Sequence, residues 1–237
     1  MAGQRQESSS MTITGISSMA TRGVLAELAS AYAQRSGHEV AIEAVGGVDA
    51  ARRVQAGEAF DAVFLAADAI DKLITSGPVR AGSRVDLVRS AVAVAVREGA
   101  PRPDIGSEAA LKQAVRGAHS ISYSTGPSGV YLTQLFARWG IADEIRRRLV
   151  QAPPGVPVGS LVARGEVELG FQQLSELMHV DGITVLGTLP ADISFITTFS
   201  GAVCAMSAQP DAARALLAFL AAPETAAVKR RHGMDPA

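Results

Sequence analysis

The densest cluster of reactive groups in this 237-residue chain is Ser124, Thr125 and Ser128, set among Gly126, Pro127 and Gly129 within the run Ser122–Tyr131. Ahead of it, Ser120-Ile121-Ser122-Tyr123 alternates polar and apolar as a short strand does. Behind it, Val130, Leu132, Leu135, Phe136 and Trp139 recur at roughly helical spacing. A strand-to-helix turn of this kind puts hydroxyls beside the unpaired N–H groups of a first helical turn, where the helix dipole favours negative charge. The chemistry this suits is anion binding. Pro127 presets a helix start, while Gly126 and Gly129 allow a positive φ or close approach to a ligand. A plainer reading, in which these residues only cap a helix and close a loop, needs one hydroxyl rather than three.

Comparable turns occur elsewhere. Ser17-Ser18 follows the strand-like Thr12–Ile16 and precedes a helix marked by Leu25, Leu28, Ala29 and Tyr32. Gly46-Gly47 ends the alternating strand His38–Val45, Ala66-Ala67-Asp68 ends the apolar strand Asp61–Ala66, and Gln172-Gln173 follows the strand Val167–Phe171. Arg22, four residues after Ser18, is placed either to pair with a ligand carboxylate or to sit solvated on a helix face. Arg89 opens an apolar run and needs a partner, which is a ligand or Asp86. Tyr123 and Tyr131 flank the central loop and either offer a hydroxyl or pack with polar tips outward. The ligand-binding set is therefore Ser17, Ser18, Arg22, Gly46, Gly47, Ala67, Ser124, Thr125, Gly126, Ser128, Gly129, Gln172 and Gln173. For proton transfer these loops offer only Asp49, Asp68 and Tyr123, with no His or Glu, so no catalytic residue is assigned.

Composition narrows the function. With 22 basic and 23 acidic residues the formal charge is −1, which leaves no field to draw in nucleic acid or an anionic membrane. Aromatic residues at 5% offer few platforms for base stacking. No apolar run approaches the ~18 residues of a membrane span, so membrane insertion is not expected. One cysteine, Cys204, rules out a disulfide framework and reads as a buried, inert thiol. The four histidines have no metal-ligand spacing, and no dinucleotide or phosphate-loop motif occurs, so neither metal nor cofactor is expected. Gly-x-Ser-x-Gly is also absent, against serine hydrolysis. Met1–Ser10 is polar and lacks a secretory pattern, which places the chain as given in the cytoplasm, or in the periplasm if a signal peptide has been removed.

The elements that must position these loops alternate strand and helix, with Val85–Val96 as a long apolar crossover and Ile193–Phe199 as the return. Such repetition predicts an α/β fold with a parallel-rich sheet in each of two lobes and a ligand cleft between them. The boundaries read as a disordered segment 1–11, a first lobe from 12–88 and 196–237, and a second lobe 89–195.

At Ser17-Ser18, Val54-Gln55-Ala56-Gly57, Asp61–Asp68 and Gly155–Gly170, the chain resembles the molybdate-binding proteins of bacterial ABC importers, within the type 2 periplasmic-binding-protein fold. The resemblance runs from Thr12 to Met234. It implies a small anionic ligand and, for an exported protein, an ABC importer as partner. The pocket departs from that family where Gly46-Gly47-Val48-Asp49 replaces a Gly-Ser-Ser-Gly-like turn, Ala66-Ala67-Asp68 a Ser-Ala-Asp, and Gln172-Gln173 the neighbourhood of a tyrosine. Fewer hydroxyls and two added amides suit a planar carboxylate better than a tetrahedral oxyanion. The same fold resembles aconitate isomerase, which interconverts cis- and trans-aconitate. Capture of a di- or tricarboxylate is thus the first expectation and double-bond isomerisation of a tricarboxylate the second.

Overall fold

The computed structural model describes residues 11–237, so the N-terminal segment, apart from Met11, lies outside the described residues. From there the chain runs β1 (Thr12–Ser18), a 3-10 turn (Met19–Thr21), α1 (Arg22–Ser36), β2 (Glu39–Val45), α2 (Gly47–Gln55), β3 (Ala62–Ala66) and α3 (Ala67–Ser76). The long β4 (Val85–Arg97) comes next, then α4 (Glu108–Gly117), β5 (Ile121–Tyr123), α5 (Pro127–Arg138), α6 (Ala142–Ile145), β6 (Leu149–Gln151), α7 (Val158–Ala163), β7 (Leu169–Gln173) and α8 (Leu174–Leu177). β8 (Ile183–Thr188), β9 (Ile196–Val203), α9 (Pro210–Ala221), α10 (Ala226–Arg231) and β10 (Asp235–Pro236) complete it.

Two lobes share the long strand. β2, β1 and β3 are parallel neighbours, and β9 joins β3 antiparallel. In the other lobe β6, β5 and β7 are parallel neighbours. β4 connects the two: Val85–Ala91 pairs with β9, and from Val92 onward it pairs with β7 and β8, always antiparallel. Its register shifts beside β9 between Asp86 and Val88 and beside β8 between Val94 and Ala95. The sheet order β2-β1-β3-β9-β4-β7-β5-β6 is therefore parallel at both ends and antiparallel through the middle.

Each lobe has apolar cores that explain its elements. In the first, Val24, Leu25, Leu28 and Tyr32 of α1 meet Leu216, Leu217 and Leu220 of α9 on one side of the sheet. On the other side Ala50 and Val54 of α2 meet Ile70 and Leu73 of α3. In the second lobe Leu132, Leu135 and Phe136 of α5 pack on Phe171 and on Leu111 and Val115 of α4. Buried faces of this kind leave the strand ends and helix starts to face the crevice between lobes.

Several boundaries differ from the sequence reading, among them β1, which runs on through Ser17 and Ser18. The return strand starts at Ile196 rather than Ile193, because Ala191–Ile193 winds into a 3-10 turn after Pro190. The helix expected from Val130 begins three residues earlier at Pro127, which has no N–H to lose at that position. The strand expected at Val167 begins at Leu169 and runs through both glutamines. No helix among the described residues is long and apolar enough to cross a membrane.

Candidate functional site

Between the lobes lies a cavity of about 90 Å³, lined by Ser18, Gly46 and Gly47 from one side and by Ser124–Ser128, Gly155–Pro157, Gln172, Gln173 and Glu176 from the other. It opens into a vestibule of about 500 Å³ bounded by Ala66, Asp68, Arg52, Lys72 and Val130. Helix starts converge on it, because α2 begins at Gly47, α5 at Pro127 and α7 at Val158. First-turn N–H groups have no partner within their own helix, so these ends present donors to an anion.

Nine of the thirteen residues singled out from the sequence line the cavity: Ser18, Gly46, Gly47, Ser124, Thr125, Gly126, Ser128, Gln172 and Gln173. The other four do not. Ser17 is wholly buried, and its Oγ lies 3.5 Å from the Glu43 carbonyl, at the limit of a hydrogen bond. Arg22 is exposed on an outer depression beside Ser17, Leu25 and Ile42. Ala67 starts α3 just behind the vestibule. Gly129 is packed against the loop from behind: a Cβ there would stand 1.8 Å from the Ser124 carbonyl oxygen. Neither Gly126 nor Gly129 adopts a positive φ, so close packing rather than left-handed backbone is what glycine permits at position 129.

The hydroxyls divide by role. Ser124 Oγ and Ser128 Oγ are hydrogen-bonded to each other at 3.1 Å. Ser18 Oγ is buried at the cavity with no partner, and no capping bond holds it to the adjoining 3-10 turn. Such a group costs free energy unless something supplies a hydrogen bond, which a ligand in the cavity can do. Gln173 is held through Nε2, which donates to Thr197 Oγ1 at 2.9 Å, while its buried Oε1 has no partner.

Gln172 is fully committed. Its Oε1 accepts the N–H of Val158 at the start of α7, 3.0 Å away, and its Nε2 donates to Glu176 Oε1 at 2.8 Å. The two bonds fix the orientation of the amide and hold the Glu176 carboxyl at the cavity wall. Burial pushes that carboxyl up to about 7, the Gln172 hydrogen bond pulling the other way. Among the described residues no Lys, Arg or His lines the cavity. Cations stand in the vestibule beside acids, Arg52 against Asp49 at 2.7 Å and Lys72 against Asp68 at 3.8 Å.

Glu176 is the residue that sequence reasoning missed. A signal existed: it stands four residues after Gln172, and where a strand turns straight into a helix that spacing brings the two side chains together. The remaining candidates serve the scaffold. Tyr131 stacks on Phe195 at 4.5 Å, and its hydroxyl donates to the Ile193 carbonyl. Arg89 donates to the carbonyl of Pro236, not to Asp86. Burial and Asp61 raise the Cys204 thiol to about 12. Among the described residues no group of three or more His, Cys, Asp or Glu could hold a metal.

Known proteins resemble the chain along nearly all its length. It is 42% identical over 231 residues to an aconitate isomerase from Pseudomonas sp, covering 95% of this chain and 88% of that one. It is 28% identical over 216 residues to the molybdate-binding protein ModA of Azotobacter vinelandii, covering 87% and 83%. The solved periplasmic molybdate-binding protein of Azotobacter vinelandii superposes with a TM-score of 0.78 at 21% identity, over 94% of this chain and 98% of that one. The family model described as bacterial extracellular solute-binding protein matches residues 13–235. The chain belongs to this bacterial extracellular solute-binding protein family.

Proposed function

We propose that the cleft holds a small di- or tricarboxylate and moves a proton between two of its carbons, shifting a double bond as an aconitate isomerase does. The observation that carries this reading is Glu176, a carboxyl at the cavity wall that burial tunes to about 7. A proton carrier is most effective when its proton affinity lies near the working pH, since it must be base in one step and acid in the next. The relative at 42% identity supports the same conclusion.

The reaction divides among groups of this chain. Glu176 as carboxylate takes a proton from the methylene beside a substrate carboxylate. The electron pair left behind spreads through the neighbouring double bond and its carboxylate as a dienolate. Glu176 then returns the proton to the former vinylic carbon, so one C–H bond breaks, one forms, and the double bond moves by one position. The N–H groups at the starts of α2 and α5, with Ser18 Oγ, hold the carboxylate on which charge builds, as oxyanion-hole donors do. Gln172 keeps Glu176 aimed at the reacting carbons.

Capture of a solute for an importer is the second reading, and the family supports it directly. It also supports a periplasmic rather than a cytoplasmic place of work for the mature protein. Molybdate is the weaker ligand on either reading, because a tetrahedral dianion is gripped best by a shell of short hydroxyl and N–H donors, and here two glutamines and a carboxyl take up part of the cavity wall.

The test is to incubate the purified protein with trans-aconitate and follow cis-aconitate by chromatography. Turnover is expected, with Glu176→Gln reducing kcat at least a hundredfold while trans-aconitate still raises the melting temperature of the variant. Tight binding without turnover would leave solute capture as the function, and a thermal shift from molybdate alone would overturn the carboxylate reading.

A further inference from the structure

We propose that the cleft takes up its anion together with one proton, the ligand carboxylate pairing with the carboxyl of Glu176 in a shared-proton hydrogen bond. This rests on the carboxylate reading of the cleft but not on turnover. Among the described residues an anion entering the cavity meets one ionisable side chain, and that side chain is acidic. Two carboxylates in contact cannot both remain ionised away from water, because the low local dielectric magnifies their repulsion. Binding must therefore neutralise one of them.

Among the described residues no cationic side chain lines the cavity to balance the charge. The elements packed against α8 are the 3-10 turn, β4, β7 and α7, with the turn at Gly233 against Leu174. Met19–Thr21 and Val158–Ala163 contain no ionisable residue, and the strand β7 presents only Gln172 and Gln173. The ionisable residues of β4 are engaged elsewhere: Asp86 with Arg84 and Ser200, Arg89 with the Pro236 carbonyl, and Arg97 beside Gly165. Beyond α8, His179 stacks edge-on against His232 at 5.5 Å, and His232 is paired with Glu27. Arg52 and Lys72 lie in the vestibule and are already beside Asp49 and Asp68.

Geometry places the proton between Glu176 and the ligand. Its Oε1 accepts the Gln172 amide, an arrangement open to the ionised and the neutral acid alike. Oε2 has no protein partner among the described residues, so it shares the proton with the ligand carboxylate, and Glu176 is the carboxylate that isomerisation needs whenever that proton sits on the ligand. A fully ionised tetrahedral oxyanion competes for the same bond, but only a ligand with a planar carboxylate can face the carboxyl edge to edge while its other oxygen reaches Ser18 Oγ or a helix start.

The experiment is titration calorimetry with tricarballylate, a saturated tricarboxylate that has no double bond to move, in buffers of differing ionisation enthalpy between about pH 6 and pH 9. Near pH 8, where this probe is ionised throughout, close to one proton should be taken up per ligand bound. Its Kd should rise about tenfold per pH unit above neutrality. Glu176→Gln should abolish the uptake and flatten Kd against pH over the same range. Measurable binding with no proton uptake near pH 8, or an uptake unchanged in Glu176→Gln, would overturn the proposal while leaving the carboxylate reading intact. Failure of tricarballylate and of aconitate to bind at any pH would overturn both.

Discussion

At the scale of the residue, burial sets the charge of one carboxyl at the cleft. Glu176 holds its proton up to about pH 7 in the folded state, whereas in the unfolded chain it releases it near 4.5. The folded state therefore binds the proton more tightly. The stability this contributes is full below about pH 4.5 and is lost as pH rises through about 7. Linkage puts the swing at roughly 3 kcal/mol for a shift of this size, an upper bound for a group that still faces a cavity. Urea unfolding at pH 5 and pH 8 should show wild type losing a sizeable part of that amount relative to Glu176→Gln. Equal pH dependence in both proteins would mean that the carboxyl is not tuned by its site. Lys229 gives the opposite sign: it is 2% exposed in the first lobe, and burial alone holds its ammonium below the ordinary lysine range. Here the unfolded state binds the proton more tightly, so stability rises with pH towards that of a free lysine. Lys229→Met should stabilise the protein at neutral pH by about 1 kcal/mol, since an apolar side chain needs no hydration. A lower melting temperature in that variant would show that the ammonium has a favourable role.

At the scale of the element, the site is made by the places where strands turn straight into helices. The turn between β5 and α5 depends on Gly129, whose missing side chain lets the Ser124 carbonyl approach the helix. Gly129→Ala should cost about 2–3 kcal/mol, the upper range for forcing an extra methyl into a packed site, and should weaken ligand binding by displacing Ser124 and Ser128. An unchanged melting temperature would contradict the packing argument. Most of these elements were legible in the sequence. The alternation of Glu39–Val45, the apolar run of β3 and the helical spacing of α1 and α5 each reflect a buried face, and burial is what periodicity records. The hydroxyl and glycine turns were legible for a related reason, since few structures need so many hydrogen-bonding groups and so little side chain together. Arg22 was misplaced because Met19–Thr21 forms a 3-10 turn. Three residues at 3.0 per turn, rather than 3.6, rotate the start of α1 by roughly 60°, enough to turn the arginine from the cleft side of the helix to its exposed face. Glu176 was missed because α8 is four residues long, too short for a periodic pattern.

At the scale of the molecule, two lobes joined through β4 bring groups far apart in sequence to one cavity. Ser18 and Gly47 come from one lobe and Ser124, Gln172 and Glu176 from the other. Contact between lobes continues behind the site, where the Ser175 hydroxyl donates to the Ala20 carbonyl at 2.9 Å. That bond ties the short helix carrying Glu176 to the turn that presents Ser18. The same architecture serves solute capture when its cavity only binds, and isomerisation when it adds a group that moves a proton. Under the proposed function this cleft does the second. The most direct measurement is a proton NMR time course of trans-aconitate with the protein in deuterium oxide. The account predicts that cis-aconitate appears, that the Glu176→Gln variant produces none above background, and that exchange of Glu176 with solvent labels the methylene carbon with deuterium. Unaltered, unlabelled trans-aconitate in the presence of wild-type protein that demonstrably binds it would contradict the claim.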